Sequence, residues 1–268
     1  MSLPEMSLPE SSADAAAPAC SSRAKRSPRI WKFIGTSLWG LLAFGAMFAG
    51  QITVAAWFLM TSDGPVDFAT AKALLGDGVM ISLSVVMGLP AVLVALGLAT
   101  RMARTPFADY LALRGTSGKN FLGGAVSLIV LIGAWDAVSR AMGRDVEPGF
   151  MVEVLKSARA DGALWLLVIA FCVAAPITEE VLVRGFLYRG WSESFLRPLG
   201  AIILSSLVWT AMHLQYDWFF FGEIFSIGLL LGYLRARSGS TWLTIFVHGL
   251  NNLAATLQTI WLASYGSG

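Results

Sequence analysis

Residues 79–100 read VMISLSVVMGLPAVLVALGLAT, a run without a single charged side chain. As an α-helix it is about 33 Å long, enough to cross a bilayer hydrocarbon core of about 30 Å. Working outward from it, similar apolar blocks predict further helices at about 33–60, 120–141, 163–190, 199–217, 219–234 and 241–262. The break between the fifth and sixth of these is the least marked. The expected fold is therefore all-α, a polytopic membrane helical bundle with about seven transmembrane helices. Composition agrees, with 56% hydrophobic and 13% charged residues, against about 25% charged in a soluble domain. Between the third and fourth spans, Phe150 to Arg159 reads as a short helix on the membrane surface, in a loop punctuated by Pro148, Gly149 and Gly162.

Residues 1–29 are rich in Ser, Ala and Pro and carry no apolar period. They read as a disordered basic N-terminal tail ahead of a membrane domain at 30–268. The tail repeats MSLPE, at Met1–Glu5 and Met6–Glu10, and no function follows from that. The two cysteines, Cys20 and Cys172, exclude a disulfide framework or a thiolate metal cluster. No apolar stretch precedes Cys20, so it reads as an ordinary tail residue. A net charge of +2 is too small to argue for nucleic acid as a partner. The basic residues instead sort by side. With the N-terminus in the cytoplasm, fourteen Lys and Arg fall on inner segments and five on outer ones. Arg184 is among the fourteen. The positive-inside rule then predicts a cytoplasmic N-terminus and a C-terminus outside, in a plasma membrane of bacterial type.

Ionisable residues inside a span are costly and point by default to function. The fourth helix carries Glu179, Glu180 and Arg184; the fifth carries His213; the sixth, Glu223; the seventh, His248 and Asn252. His213 and His248 are the only histidines in the chain, and both are predicted to lie in helices. Counted from the presumed cytoplasmic ends, Glu179, His213, His248 and Asn252 all fall roughly 11–21 Å deep, so three helices bring polar groups toward one level. Glu180 and Arg184 are spaced i, i+4 with the acid first, which suits an ion pair. Glu179, about 100° away round the helix, is left to face a cavity. His248 and Asn252, also i, i+4, share a face. Pro176 lacks an N–H and is expected to kink the helix just before the acidic pair. Irregular backbone at that depth is tolerated where it lines a cavity.

These groups suit hydrolysis of a peptide bond. A glutamate can take a proton from water with help from a histidine, while a second histidine and an amide stabilise the oxyanion. The same cluster could hold a divalent metal that acidifies water. A zinc set would draw on His213, His248, Asn252 and Glu179. Asn is a poor zinc ligand, and using Glu179 as one would remove the free base, so the donor types favour a metal-independent glutamate mechanism over Zn2+.

Glu179-Glu180-Val181-Leu182-Val183-Arg184 resembles the EExxxR motif of the CPBP, or Abi, family of intramembrane proteases (the CAAX-processing and bacteriocin-processing enzymes). Trp209-Thr210-Ala211-Met212-His213 is similar to their FxxxH motif, with Trp in place of Phe. His248-Gly249-Leu250-Asn251-Asn252 matches their HxxxN motif. The resemblance covers residues 163–262, in the family's order. It implies an intramembrane endopeptidase in which Glu179 and His213 activate water. His248 and Asn252 would form the oxyanion site or contribute to a metal site, with Glu180 and Arg184 in support. The metalloprotease label often given to such enzymes would favour zinc. The partners implied are membrane lipids and a peptide or protein substrate, prenylated or membrane-embedded.

Two other classes stay open. A catalytically silent scaffold or a bacteriocin self-immunity protein would keep the helices and tolerate loss of Glu179. An ion-coupled transporter would also bury ionisable groups, but it often shows an internal repeat, and none is visible. Glu223 lies outside the motifs and is expected to be buried neutral or interfacial rather than to line the site. The ten Trp read as interfacial belts and packing. The glycines read as sites of close helix packing.

Overall fold

The computed structural model describes residues 27–61, 67–144 and 149–265. Most of the predicted tail therefore lies outside the described residues. Among the described residues the regular structure is all helical, without strands. Its elements are α1 (Phe33–Thr61), α2 (Phe68–Leu74), α3 (Gly78–Ala103), α4 (Phe107–Tyr110), α5 (Gly118–Ala141) and α6 (Gly149–Ala160). A long irregular helix, α7, runs over Leu164–Ser192. It is followed by α8 (Arg197–Ala211), α9 (Trp218–Ser238) and α10 (Thr241–Tyr265). The apolar blocks thus form helices close to the predicted bounds, and the fold is a helical membrane bundle.

Five helices are both long and apolar enough to cross a bilayer: α1, α3, α5, α7 and α9. The other two depart from the sequence expectation for identifiable reasons. α8 stops at Ala211 rather than near residue 217, which leaves it only about 22 Å long. α10 is long enough, at 25 residues, but His248, Asn251, Asn252 and Gln258 lower its apolarity. The short α2 and α4 escape the hydropathy reading because they are too brief to carry a period. Asp67 caps α2 by accepting Thr70 N–H, and this hydrogen bond holds its carboxyl below the usual carboxylate range.

The packing is that of a protein in lipid. Large apolar side chains such as Leu41, Trp57, Ile129, Val130 and Trp261 point outward. In water such a surface would be an aggregation site; in a bilayer it is the solvated face. Polar residues collect inside, among them Glu180, Arg184, Thr244, His248, Thr256 and Thr259. Small residues let the helices approach, because apolar burial drives little association between helices already in lipid. Gly190 shows this: a Cβ there would lie 1.8 Å from Thr36 Oγ1 and 2.5 Å from Trp31 O. α6 packs against α3, α7 and α10 through Met151, Val154, Leu155 and Ala158.

Candidate active site

The site begins with the backbone of α7. Two stretches of this helix, Ala170–Ala174 and Val181–Leu187, have the wider π-helical winding, and regular α-helix between them carries Glu179 and Glu180. Pro176 lies directly after the first of these stretches. In the first π stretch the Ala175 N–H reaches five residues back, to Ala170 O. The next bond in that register would run from residue 176 to Phe171 O, but proline has no N–H. Asn252 Nδ2 of α10 bonds that carbonyl instead, at 2.7 Å. The second stretch behaves likewise. Tyr188 N–H reaches five back to Val183 O, and Arg235 Nε of α9 takes Arg184 O at 3.2 Å. π-bulges are frequent at functional sites, and here they turn backbone carbonyls toward side chains of neighbouring helices.

The two glutamates take different places, as the 100° offset requires. Glu180 is fully buried, and its Oε1 accepts Arg184 Nη1–H at 2.7 Å and His248 Nδ1–H at 3.0 Å. Arg184 is also fully buried, donates to Gly228 O at 3.1 Å, and lies 4.7 Å from the Trp209 ring centroid. Arg184 is therefore part of the buried interior and not a loop charge, which corrects its place among the inner-segment cations. Glu179 is the more open acid, with a side chain 17% exposed. Its Oε2 accepts Trp209 Nε1–H at 2.5 Å and lies 3.9 Å from His248 Nε2.

His213 is not in a helix, contrary to the sequence expectation. It follows the Met212 C-cap of α8, in the non-helical segment 212–217. Its Nδ1–H donates to Trp209 O at 2.9 Å, because a carbonyl can only accept. The Nε2 atoms of both histidines are thus left unengaged by these bonds. Trp209 stands between the rings, edge-on to His213 at 5.1 Å and to His248 at 5.2 Å. Asn252 uses one amide hydrogen on Phe171 O, and its Oδ1 accepts from Asn251 Nδ2 at 3.2 Å. The second hydrogen on Asn252 Nδ2 is available to a ligand.

A cavity of about 280 Å³ opens against this cluster, lined by Glu179, Trp209, His213, His248 and Asn252. Its remaining wall is mainly apolar, with Ile132, Phe171, Phe220, Ile224 and Ile227. Two acids outside the motifs also line it. Glu223 does so against the sequence expectation, and Asp136 of α5 is not among the sequence candidates at all. The signal that finds Asp136 is an acid inside a predicted span. Among the described residues, no three His, Cys, Asp or Glu side chains gather as a metal-holding group. His248 Nδ1 is turned to Glu180 and Asn252 is bonded to backbone, while the Nε2 atoms of the two histidines stay open.

Residues 161–254 match the family model described as Type II CAAX prenyl endopeptidase Rce1-like. The chain is 30% identical over 134 residues to an "Uncharacterized 24.3 kDa protein" of Escherichia coli, a match spanning 49% of this chain and 59% of that one. It is 35% identical over 89 residues to the UPF0177 protein YbdI of Lactococcus lactis subsp. lactis (strain IL1403), spanning 33% and 46%. The chain therefore spans about half the length of these curated relatives. No solved structure matches. The family match spans all three motifs, and residues 161–254 of this integral membrane protein are similar to the Rce1-like type, in keeping with the CPBP (CAAX-processing and bacteriocin-processing) protease family.

Proposed function

We propose that this protein is an intramembrane endopeptidase that hydrolyses a peptide bond in the 280 Å³ cavity beside Glu179. The observation that carries the reading is the division of labour between the adjacent acids. Glu180 is locked in a buried pair with Arg184 and His248, whereas Glu179 faces the cavity. In the reaction Glu179 takes a proton from water, with His213 beside it, and the water oxygen bonds to the scissile carbonyl carbon. His248, carrying a proton on Nε2, and the second amide hydrogen of Asn252 face the oxyanion. The tetrahedral intermediate collapses, the C–N bond breaks, and Glu179 passes its proton to the departing amine. Glu180 and Arg184 hold His248 in place. Each step is open to the chain's own groups, and the metal-independent route is proposed on that basis.

The substrate is a peptide or protein reaching the cavity from the bilayer, prenylated or membrane-embedded, in the plasma membrane of a bacterium. The test compares membrane peptidomes of cells expressing the wild-type protein and Glu179→Gln. Peptides that accumulate only with the wild type, and a purified variant that inserts normally but has lost cleavage by about 10²-fold or more, are the expected result. Identical peptidomes would favour the silent scaffold or self-immunity reading.

A further inference from the structure

The substrate cavity is one of two that meet at the site. A second, of about 130 Å³, lies on the side of α1 and α3 and is lined by Met47, Gln51, Thr178 and Met212, together with Glu179 and His213. Glu179 and His213 therefore line both, together with Val85, Ala175 and Gln215. We propose that this second cavity is the water side of the site, holding and delivering the water that Glu179 activates while the larger cavity takes the peptide. The proposal rests on the peptidase reading above.

Every hydrolysis consumes one water, and a site walled by apolar helices needs a place where water is held. A buried water requires two to four polar partners and occupies about 30 Å³ of liquid volume. The second cavity has room for several waters and offers such partners. Gln51 presents its carboxamide from α1, where its Nε2 lies 3.5 Å from the point a Cβ on Gly88 of α3 would occupy. Thr178 Oγ1 donates to Ala174 O at 2.7 Å, which leaves its oxygen free to accept.

The backbone supplies an independent argument. α8 ends at Ala211 after only about 22 Å, so the non-helical segment 212–217 is expected to begin at membrane depth. Non-helical backbone there is tolerated only where it is buried in protein or lines a water-filled space. This segment lines the second cavity through Met212, His213 and Gln215, of which His213 and Gln215 also border the larger one. Gln215 is also exposed, so the polar wall runs from the site to the surface. Glu179 then stands between water on one side and the scissile carbonyl on the other, the placement a general base needs.

The experiment uses the full chain in proteoliposomes, with Cys20→Ser and Cys172→Ser as background. Gln51→Cys and Ile52→Cys are compared. Ile52 is the next residue of α1 at the same depth, 64% exposed on the lipid face. A charged methanethiosulfonate should modify Gln51→Cys rapidly and Ile52→Cys hardly at all. Modification of Gln51→Cys should lower kcat by about tenfold or more with KM unchanged, because the peptide sits in the other cavity. Equal, slow modification at both positions overturns the proposal, as does modification that leaves kcat intact or raises only KM. The labelling arm needs no turnover. Absence of any wild-type cleavage would therefore fail the peptidase reading, while labelling still decides the cavity.

Discussion

Glu180 Oε1 accepts from two cationic or polarisable donors at once, Arg184 Nη1 at 2.7 Å and His248 Nδ1 at 3.0 Å, inside a fully buried pocket. Removing one partner of a buried ion pair leaves the other charge uncompensated, at a cost of about 3–5 kcal/mol. Glu180→Gln is therefore expected to lower both activity and thermal stability in detergent. Glu179→Gln should abolish cleavage with less loss of stability, since its carboxylate is the more exposed of the two and makes no direct hydrogen bond to Arg184. A Glu180→Gln protein as stable as the wild type would show that the pair is not structural. Trp209 invites a finer test. In the resembled FxxxH motif a Phe stands at this position, and Trp adds an N–H that donates to Glu179 at 2.5 Å. Trp209→Phe keeps the aromatic wall against both histidines but removes that donor. A hydrogen bond to a charged group contributes about 1.5–3 kcal/mol. If that bond orients the base, kcat should fall about tenfold or more, with KM and stability unchanged. An unchanged kcat would make Trp209 a packing residue only. The metal-independent reading has its own test. Exhaustive chelation of the purified enzyme is expected to leave peptide cleavage intact. Loss of activity on chelation, its return with stoichiometric zinc, and metal loss in His248→Ala would replace the glutamate mechanism with a zinc one.

At the scale of elements, α6 shows how a short helix outside the motifs bears on the site. It contributes Phe150 and Met151 to the cavity wall. It is pinned to the start of α3, where Gly78 N–H donates to Ser157 Oγ at 3.0 Å. A Cβ on Gly78 would lie 2.6 Å from both Ala158 N and Val154 O, which are backbone atoms that cannot swing away. Gly78→Ala should push α6 off α3, destabilise the protein by about 1–3 kcal/mol, and raise KM for peptide. A variant with wild-type melting and KM would detach α6 from the substrate site. The long apolar helices were legible in the sequence because charge-free runs are a direct consequence of lipid as solvent. The meeting of Glu179, His213 and His248 was legible as a shared depth, because helical rise is fixed. The rest was not. Where α8 ends, and so the placement of His213 beyond a helix rather than in one, depends on the turn at 212–217, where His213, Gln215 and Asp217 lower the hydropathy without fixing which residue ends the helix. The π stretches of α7 depend on which carbonyls find outside donors. Pro176 hints at one of them, and nothing local announces that Asn252 and Arg235 would supply the bonds. Glu180 as the holder of His248 joins residues 68 apart in sequence, beyond the reach of any periodicity.

For the whole molecule, the loops gather into two ends of unequal charge. At one end Arg29 N bonds Ala103 O, Arg114 Nε bonds Gly239 O at 2.8 Å, and Thr241 N bonds Ala112 O. Trp31 N–H donates there to the Tyr110 phenol, which burial pushes up to about 12, so it stays neutral. Arg29, Lys32, Arg101, Arg104, Arg114, Lys119, Arg189, Arg197 and Arg237 lie at or near this end. The other end joins α3 to α6 at Gly78 and Ser157, and Arg144 to Asp217. It holds Lys72, Arg140, Arg144, Lys156 and Arg159. Nine cations against five among the described residues keep the bias read from sequence after the buried Arg184 and Arg235 are removed from the count. Juxtamembrane Lys and Arg are retained on the cytoplasmic side, so the first end is expected to face the cytoplasm. In a chain lacking Cys20 and Cys172, Gly115→Cys probes that end without a clash, since a Cβ there meets nothing within 4 Å. Ser264→Cys probes the far end of α10. A membrane-impermeant maleimide should label Ser264→Cys in intact cells and Gly115→Cys only after permeabilisation. The reverse pattern would invert the topology. Labelling of neither position before permeabilisation would mean that α10, the least apolar of the long helices, does not cross, and that the histidine and amide it carries reach the site from a helix that dips into the bilayer and returns.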